Sequence, residues 1–132
     1  MAPSSSRPGA RFEVRFDELS FQEDLSHATK RGREIAVEAR KRLEDNGANP
    51  SELLRCQSEH REGTELPNCV KTYLPPPDGR WGMVFELVRE KSSGKLVLAY
   101  LAFAERHPDP PRQADVYWKA HERLHPPIDQ RP

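Results

Sequence analysis

LPNCVKTYL (66–74), PPPDG (75–79), RWGMVFELVRE (80–90), KSSG (91–94), KLVLAYLAFAER (95–106) and VYWKAHERL (116–124) decide the fold of this chain. Cys69 to Leu74 is predicted to be a strand. Pro75-Pro76-Pro77 ends it, because proline cannot continue a central ladder. Asp78-Gly79 is a turn signal. Trp81 to Arg89 and Lys95 to Glu105 carry the strongest strand patterns, and Lys91-Ser92-Ser93-Gly94 joins them as an antiparallel hairpin. The run from Leu96 to Ala104 is almost wholly apolar, so this strand should be central and covered on both faces. Val116, Ala120 and Leu124 share one face of a closing helix, which Pro126 and Pro127 stop. The polar residues fall at strand ends, where a shallow sheet can hold an anionic ligand.

Upstream, Phe12, Val14 and Phe16 alternate with Glu13 and Arg15, the period of a half-buried strand. Ser20 and Glu23 have capping-box spacing. Leu25, Ala28, Ile35, Ala36, Ala39 and Leu43 then recur at helical spacing up to Asp45, with Gly32 as a weak point where the helix begins or bends. Asn46-Gly47 supplies a left-handed cap. Asn49 and Pro50 restart a short helix ending near His60. These two helices read as an antiparallel hairpin. The expected fold class is α+β: a small antiparallel, curved sheet packed against an N-terminal helical hairpin, with a short C-terminal helix. Residues 1–10 read as a disordered lead-in, 11–125 as a single domain and 126–132 as a flexible tail.

The chain has 132 residues, one domain's worth, with 35% hydrophobic and 32% charged residues. No window approaches the 18 apolar residues a membrane span requires, and the N-terminus has no secretory signal. Lysines plus arginines equal aspartates plus glutamates at 21 each, so the formal net charge is zero. A nucleic-acid contact would therefore need a local basic patch. Cys56 and Cys69 lack zinc spacing and read as two reduced thiols, which points to a cytoplasmic protein.

Four of these segments, in order, resemble the RelE branch of the RelE/ParE toxin superfamily. LPNCVKTYL resembles that family's second strand, which carries catalytic lysines. RWGMVFELV resembles the third, AFAER the fourth, which ends in an arginine, and ADVYWKAHERL the terminal segment with a functional tyrosine. The likeness covers about half of the chain by motif and most of it by element order. It implies a toxin of a type II toxin–antitoxin system, a ribosome-dependent mRNA endonuclease restrained by an antitoxin protein. It implies no cofactor and no metal, and it leaves the oligomeric state open.

Carried over, the resemblance makes Lys71, Arg106 and Tyr117 catalytic residues around a scissile phosphate. The 2′-hydroxyl of the message attacks the adjacent phosphorus and the 5′-oxygen leaves. Such a reaction needs proton transfer and cations for the phosphorane. Arg106 suits the charge role through its bidentate guanidinium. Lys71 suits a base only if neighbouring cations or burial ease its deprotonation. Tyr117 suits stacking or orientation. Arg80, Tyr73, His121 and Lys41 are expected to bind RNA or phosphate.

The chain departs from the family pattern at two positions: Tyr73 replaces a second strand lysine, and Gly82 stands where the third strand carries an arginine. Those departures and the zero net charge keep two other outcomes open. One is a binding protein of this fold, a gyrase-type inhibitor or a non-toxic partner; the other is a plain scaffold. Lys30, Arg31, Arg33, Arg40, Lys41 and Arg42 make the long helix basic, either as an rRNA-facing stripe or as a solvated face paired with Glu34, Glu38 and Glu44. His107, His121 and His125 are the histidines that suggest a metal site, His121 and His125 being one turn apart, but no cysteine or carboxylate completes the set.

Overall fold

The computed structural model describes residues 11–56, 68–73, 81–106 and 116–124. In chain order the elements are β1 (Glu13–Arg15), α1 (Glu18–Ser26), α2 (Lys30–Asn46), one 3₁₀ turn (Pro50–Glu52), β2 (Leu54–Arg55), β3 (Cys69–Tyr73), β4 (Trp81–Arg89), β5 (Leu96–Glu105) and α3 (Val116–Leu124). The fold is α+β. Five strands form one sheet in the order β1-β5-β4-β3-β2. The neighbours β3, β4 and β5 are antiparallel, as expected, and β2, where a helix was expected, adds a further antiparallel edge to β3. Strand β1 joins the far edge parallel to β5, so the sheet is mixed.

The N-terminal helical hairpin is made of α1 and α2, not of the expected helix to Asp45 and a second helix from Asn49 to His60. Asp17, not Ser20, caps α1: its carboxylate accepts from the Ser20 amide at 3.2 Å. Thr29 caps α2 by accepting from the Gly32 amide at 3.0 Å. A hydroxyl that takes a free N–H competes well with continuing the helix, so the expected run from Leu25 to Asp45 is split at residues 27–29. Helix α2 ends as expected at Gly47 (φ 73°), whose amide donates to the Leu43 carbonyl at 2.8 Å. The expected helix from Asn49 to His60 is one 3₁₀ turn, and the chain then goes extended as β2. Pairing with β3 satisfies backbone groups that a short exposed helix would leave to water. His60, the lead-in 1–10 and the tail 126–132 lie outside the described residues.

Helices cover both faces of the sheet. On one face Phe21, Ile35, Ala36, Ala39 and Leu43 pack on Trp81, Met83, Phe85, Leu98, Tyr100 and Phe103. On the other, Val116, Tyr117 and Ala120 pack on Cys69, Val84, Leu101, Ala102 and Ala104. Each fully buried large side chain contributes on the order of 2 kcal/mol. A β-bulge lets β5 serve both layers. Val84 pairs with Ala102 and Phe85 with Tyr100, leaving Leu101 surplus to the ladder. Tyr100 and Phe103 therefore both face the hairpin, while Leu101 and Ala102 both face α3.

The sheet meets α2 at one close approach. The Trp81 indole stacks on Phe103 with ring centroids 5.2 Å apart. It also lies so near Gly32 that a Cβ there would sit 2.5 Å from the ring. Gly32, a weak point by helix propensity, is the recess that admits Trp81 to the core.

Candidate functional site

Strand alternation places Lys71 of β3 and Gly82 of β4 on the α3 side of the sheet. Tyr117 hangs from the first turn of α3 and is 8% exposed. Arg106, just past β5, donates from Nε to the Tyr117 hydroxyl at 3.2 Å. Lys71 Nζ stands 5.1 Å from the centroid of the Tyr117 ring. Two cations from distant parts of the chain thus meet on one phenol. A cation over an aromatic face is attracted by the ring quadrupole.

Gly82 has a local purpose in this arrangement. A Cβ at that position would lie 3.0 Å from Arg106 Cγ and 3.2 Å from Cδ. The stem of Arg106 occupies the space a side chain on β4 would need. Tyr73 pairs through its backbone with Gly82, so these two positions stand opposite each other in the ladder.

The other sequence-predicted residues are placed differently. His121 is on α3 one turn beyond Tyr117 and is half-buried. Lys41 is exposed on α2, which covers the opposite face of the sheet, so it does not join the cluster. Arg80 lies outside the described residues. The basic face of α2 carries local ion pairs: Arg40 with Glu18 (2.8 Å) and Glu44 (3.2 Å), Arg31 with Glu34 (3.4 Å), and Arg42 with Glu52 (3.6 Å). Arg40 also lies over the rings of Phe16 and Phe21, at 5.0 and 4.8 Å. Among the described residues no group of three His, Cys, Asp or Glu is placed to hold a metal ion. No helix among them is long and apolar enough to cross a membrane.

Sequence reasoning missed a heavily bonded polar cluster among the described residues. Asp24 of α1 is 1% exposed. Arg123 of α3 grips both its oxygens, at 2.8 and 2.7 Å. Oδ2 also accepts from the Tyr100 hydroxyl at 2.5 Å and from the Phe103 amide at 2.9 Å. Arg123 donates further to the Leu101 carbonyl (2.7 Å) and to Glu23 (2.8 Å), and Lys119 Nζ stands 3.7 Å from Asp24. Strand β1 pairs only with Val97 to Ala99, so backbone groups of β5 beyond that point need other partners; Asp24 and Arg123 supply them.

Burial, and then the Asp24 carboxylate, push the Tyr100 phenol well above its ordinary value. Burial works against charge on Arg123, but hydrogen bonds and attraction from Asp24 outweigh it, with Glu23 adding to them, and hold the guanidinium above its ordinary value. Four hydrogen bonds converge on Asp24, which marks this cluster as a brace joining α1, β5 and α3 rather than as a reactive centre. The available signal was Asp24 itself: it shares the inward stripe of α1 with Phe21 and Leu25, where an unpaired charge would be costly.

No protein-family model, curated protein or solved structure matches this chain.

Proposed function

We propose that Lys71, Arg106 and Tyr117 form a binding site for an RNA phosphodiester and that the protein is a RelE-like toxin. It would act in the cytoplasm as a ribosome-dependent mRNA endonuclease, without a metal, and an antitoxin protein would restrain it. The observation that carries this reading is the meeting of Lys71 and Arg106 on the hydroxyl and ring of Tyr117. In this reading the Arg106 guanidinium takes the charge that develops on the phosphorane as the 2′-oxygen bonds to phosphorus and the 5′-oxygen departs. The Tyr117 hydroxyl orients Arg106. Lys71 supplies the second positive charge. The test is a reconstituted translation reaction with mapping of message ends. New ends appearing only with ribosomes, and lost in Arg106→Ala, support the proposal; intact message and undiminished synthesis overturn it.

A second reading, a binding protein of the same fold with weak or no nuclease activity, is favoured by one observation. Tyr117 is nearly buried and its hydroxyl is already engaged by Arg106, which leaves little of the phenol for a base to stack on. A supercoiling assay with gyrase, run beside the translation assay, separates the two. Inhibition of supercoiling with intact message selects the second reading.

A further inference from the structure

We propose that Cys56 and Cys69 form a cross-strand dithiol that a low-molecular-weight disulfide converts to an intramolecular disulfide, stapling the edge strand β2 to β3. Three observations meet here, and none of them depends on the nuclease reading.

The first is register. Leu54 pairs with Lys71 and Arg55 with Val70, so the next opposed positions are Cys56 and Cys69. The ladder does continue there, because the Cys56 amide donates to the Cys69 carbonyl at 3.0 Å. Opposed residues of a hydrogen-bonded antiparallel pair have Cα atoms about 5.5 Å apart, inside the Cα range of a disulfide, and their Cβ atoms need to close by about 1 Å, a shift an edge strand such as β2 can supply.

The second is direction. Opposed residues project to the same side of a sheet, and both cysteines pack against the cluster beneath α3. Both are thiols, Cys56 half-buried and Cys69 buried.

The third is electrostatic proximity. Burial pushes the Cys56 thiol up to about 11, against a smaller opposing pull from Lys71. Burial, then Cys56, then Glu86 push Cys69 up to about 12. Each thiol therefore lies near a charged or ionisable neighbour, and Cys69 feels Cys56 itself.

The exchange balances with one oxidant. The Cys56 thiolate, the more accessible and the one beside Lys71, attacks a sulfur of the small disulfide and expels one thiolate. The Cys69 thiolate then attacks the Cys56 sulfur of the mixed disulfide and expels the second. The two protein protons end on the two released thiols, and the protein loses two electrons that the small disulfide gains. With thiols raised this far, only about one molecule in 10⁴ carries a Cys56 thiolate near neutrality, so closure is slow there. Its rate should rise about tenfold per pH unit until the thiol titrates.

The experiment treats the full chain with glutathione disulfide from neutral to about pH 9 and follows intact mass and non-reducing peptide maps. The expected product has lost two hydrogens, carries a Cys56–Cys69 link, and melts roughly 10 °C higher until reductant is added. Cys56→Ser, at the sheet edge and half-buried, should fold but show neither the two-hydrogen loss nor the thermal shift. Persistent glutathione adducts, dimers linked through either cysteine, no reaction at the upper pH, or a thermal shift that survives in Cys56→Ser would each overturn the proposal.

Discussion

Arg123 holds both oxygens of Asp24 across an interval of 99 residues, at the place where β5 runs on beyond the end of β1. A buried pair of this kind is costly to break from one side, because the survivor keeps its charge without its partner. Arg123→Ala should destabilise the protein by about 3 kcal/mol, and Asp24→Ala by a similar amount, in urea unfolding monitored by tryptophan fluorescence. The double variant should lose clearly less than the two singles added together. Strict additivity would mean that the two residues do not act as a unit.

Alkaline pH should loosen the fold. Cys56, Cys69 and Tyr100 are all raised above their ordinary values of 9.0, 9.0 and 10.0, so the folded state favours their neutral forms. Their contribution to stability is complete below those ordinary values and is lost as pH rises from about 9 through the folded values. Unfolding midpoints measured between about pH 8 and pH 11 should fall, and should fall less steeply in Tyr100→Phe above about pH 10. An identical slope in that variant would show that the phenol is not the titrating group.

Gly32→Ala sets helix propensity against packing. Alanine in a helix is favoured over glycine by about 1 kcal/mol. The added methyl, however, would sit 2.5 and 2.7 Å from Trp81 ring carbons, themselves held by stacking on Phe103. The packing term should win, giving a net loss of about 1–3 kcal/mol. Thermal melting decides the sign directly, and a stabilised variant would mean the indole moves aside freely.

Gly82→Ala probes the candidate site with little disturbance to the core. Its methyl meets the stem of Arg106 at 3.0–3.2 Å, and that stem can yield by a few tenths of an ångström. Stability should change by less than about 1 kcal/mol. Affinity for a short single-stranded RNA, read by fluorescence anisotropy, should fall about tenfold, because Arg106 leaves the Tyr117 hydroxyl. Tyr117→Phe should lower that affinity in the same direction. Unchanged affinity in both would remove Arg106 from the proposed site.

The sheet from β3 to β5 and the closing helix were legible because turn residues and apolar periodicity are local signals. The Lys91–Gly94 turn and the stripe of Val116 and Ala120 each state their own structure. The N-terminal half was harder. Thr29 competes with a continuing helix by a single hydroxyl, and Leu54 and Arg55 become a strand only because β3 is there to receive them. The parallel pairing of β1 was invisible for the same reason. Within the candidate site, residue types at Lys71, Arg106 and Tyr117 were readable, but their meeting depends on tertiary placement. The space that Gly82 leaves for Arg106 appeared in the sequence only as a missing cation. Asp24 and Arg123 were unreadable as a pair, since nothing local links two residues so far apart.

Leu101 makes the two-sidedness of β5 a question of parity. The step from Tyr100 to Arg106 is an even number of positions, so an unbroken strand would send both side chains to the same layer. The surplus residue turns even into odd and delivers the guanidinium to the side where Tyr117 waits. A second residue inserted between Ala104 and Arg106 would restore the even count. It would leave the hairpin layer's share of β5 intact while carrying the guanidinium to the wrong side of the molecule.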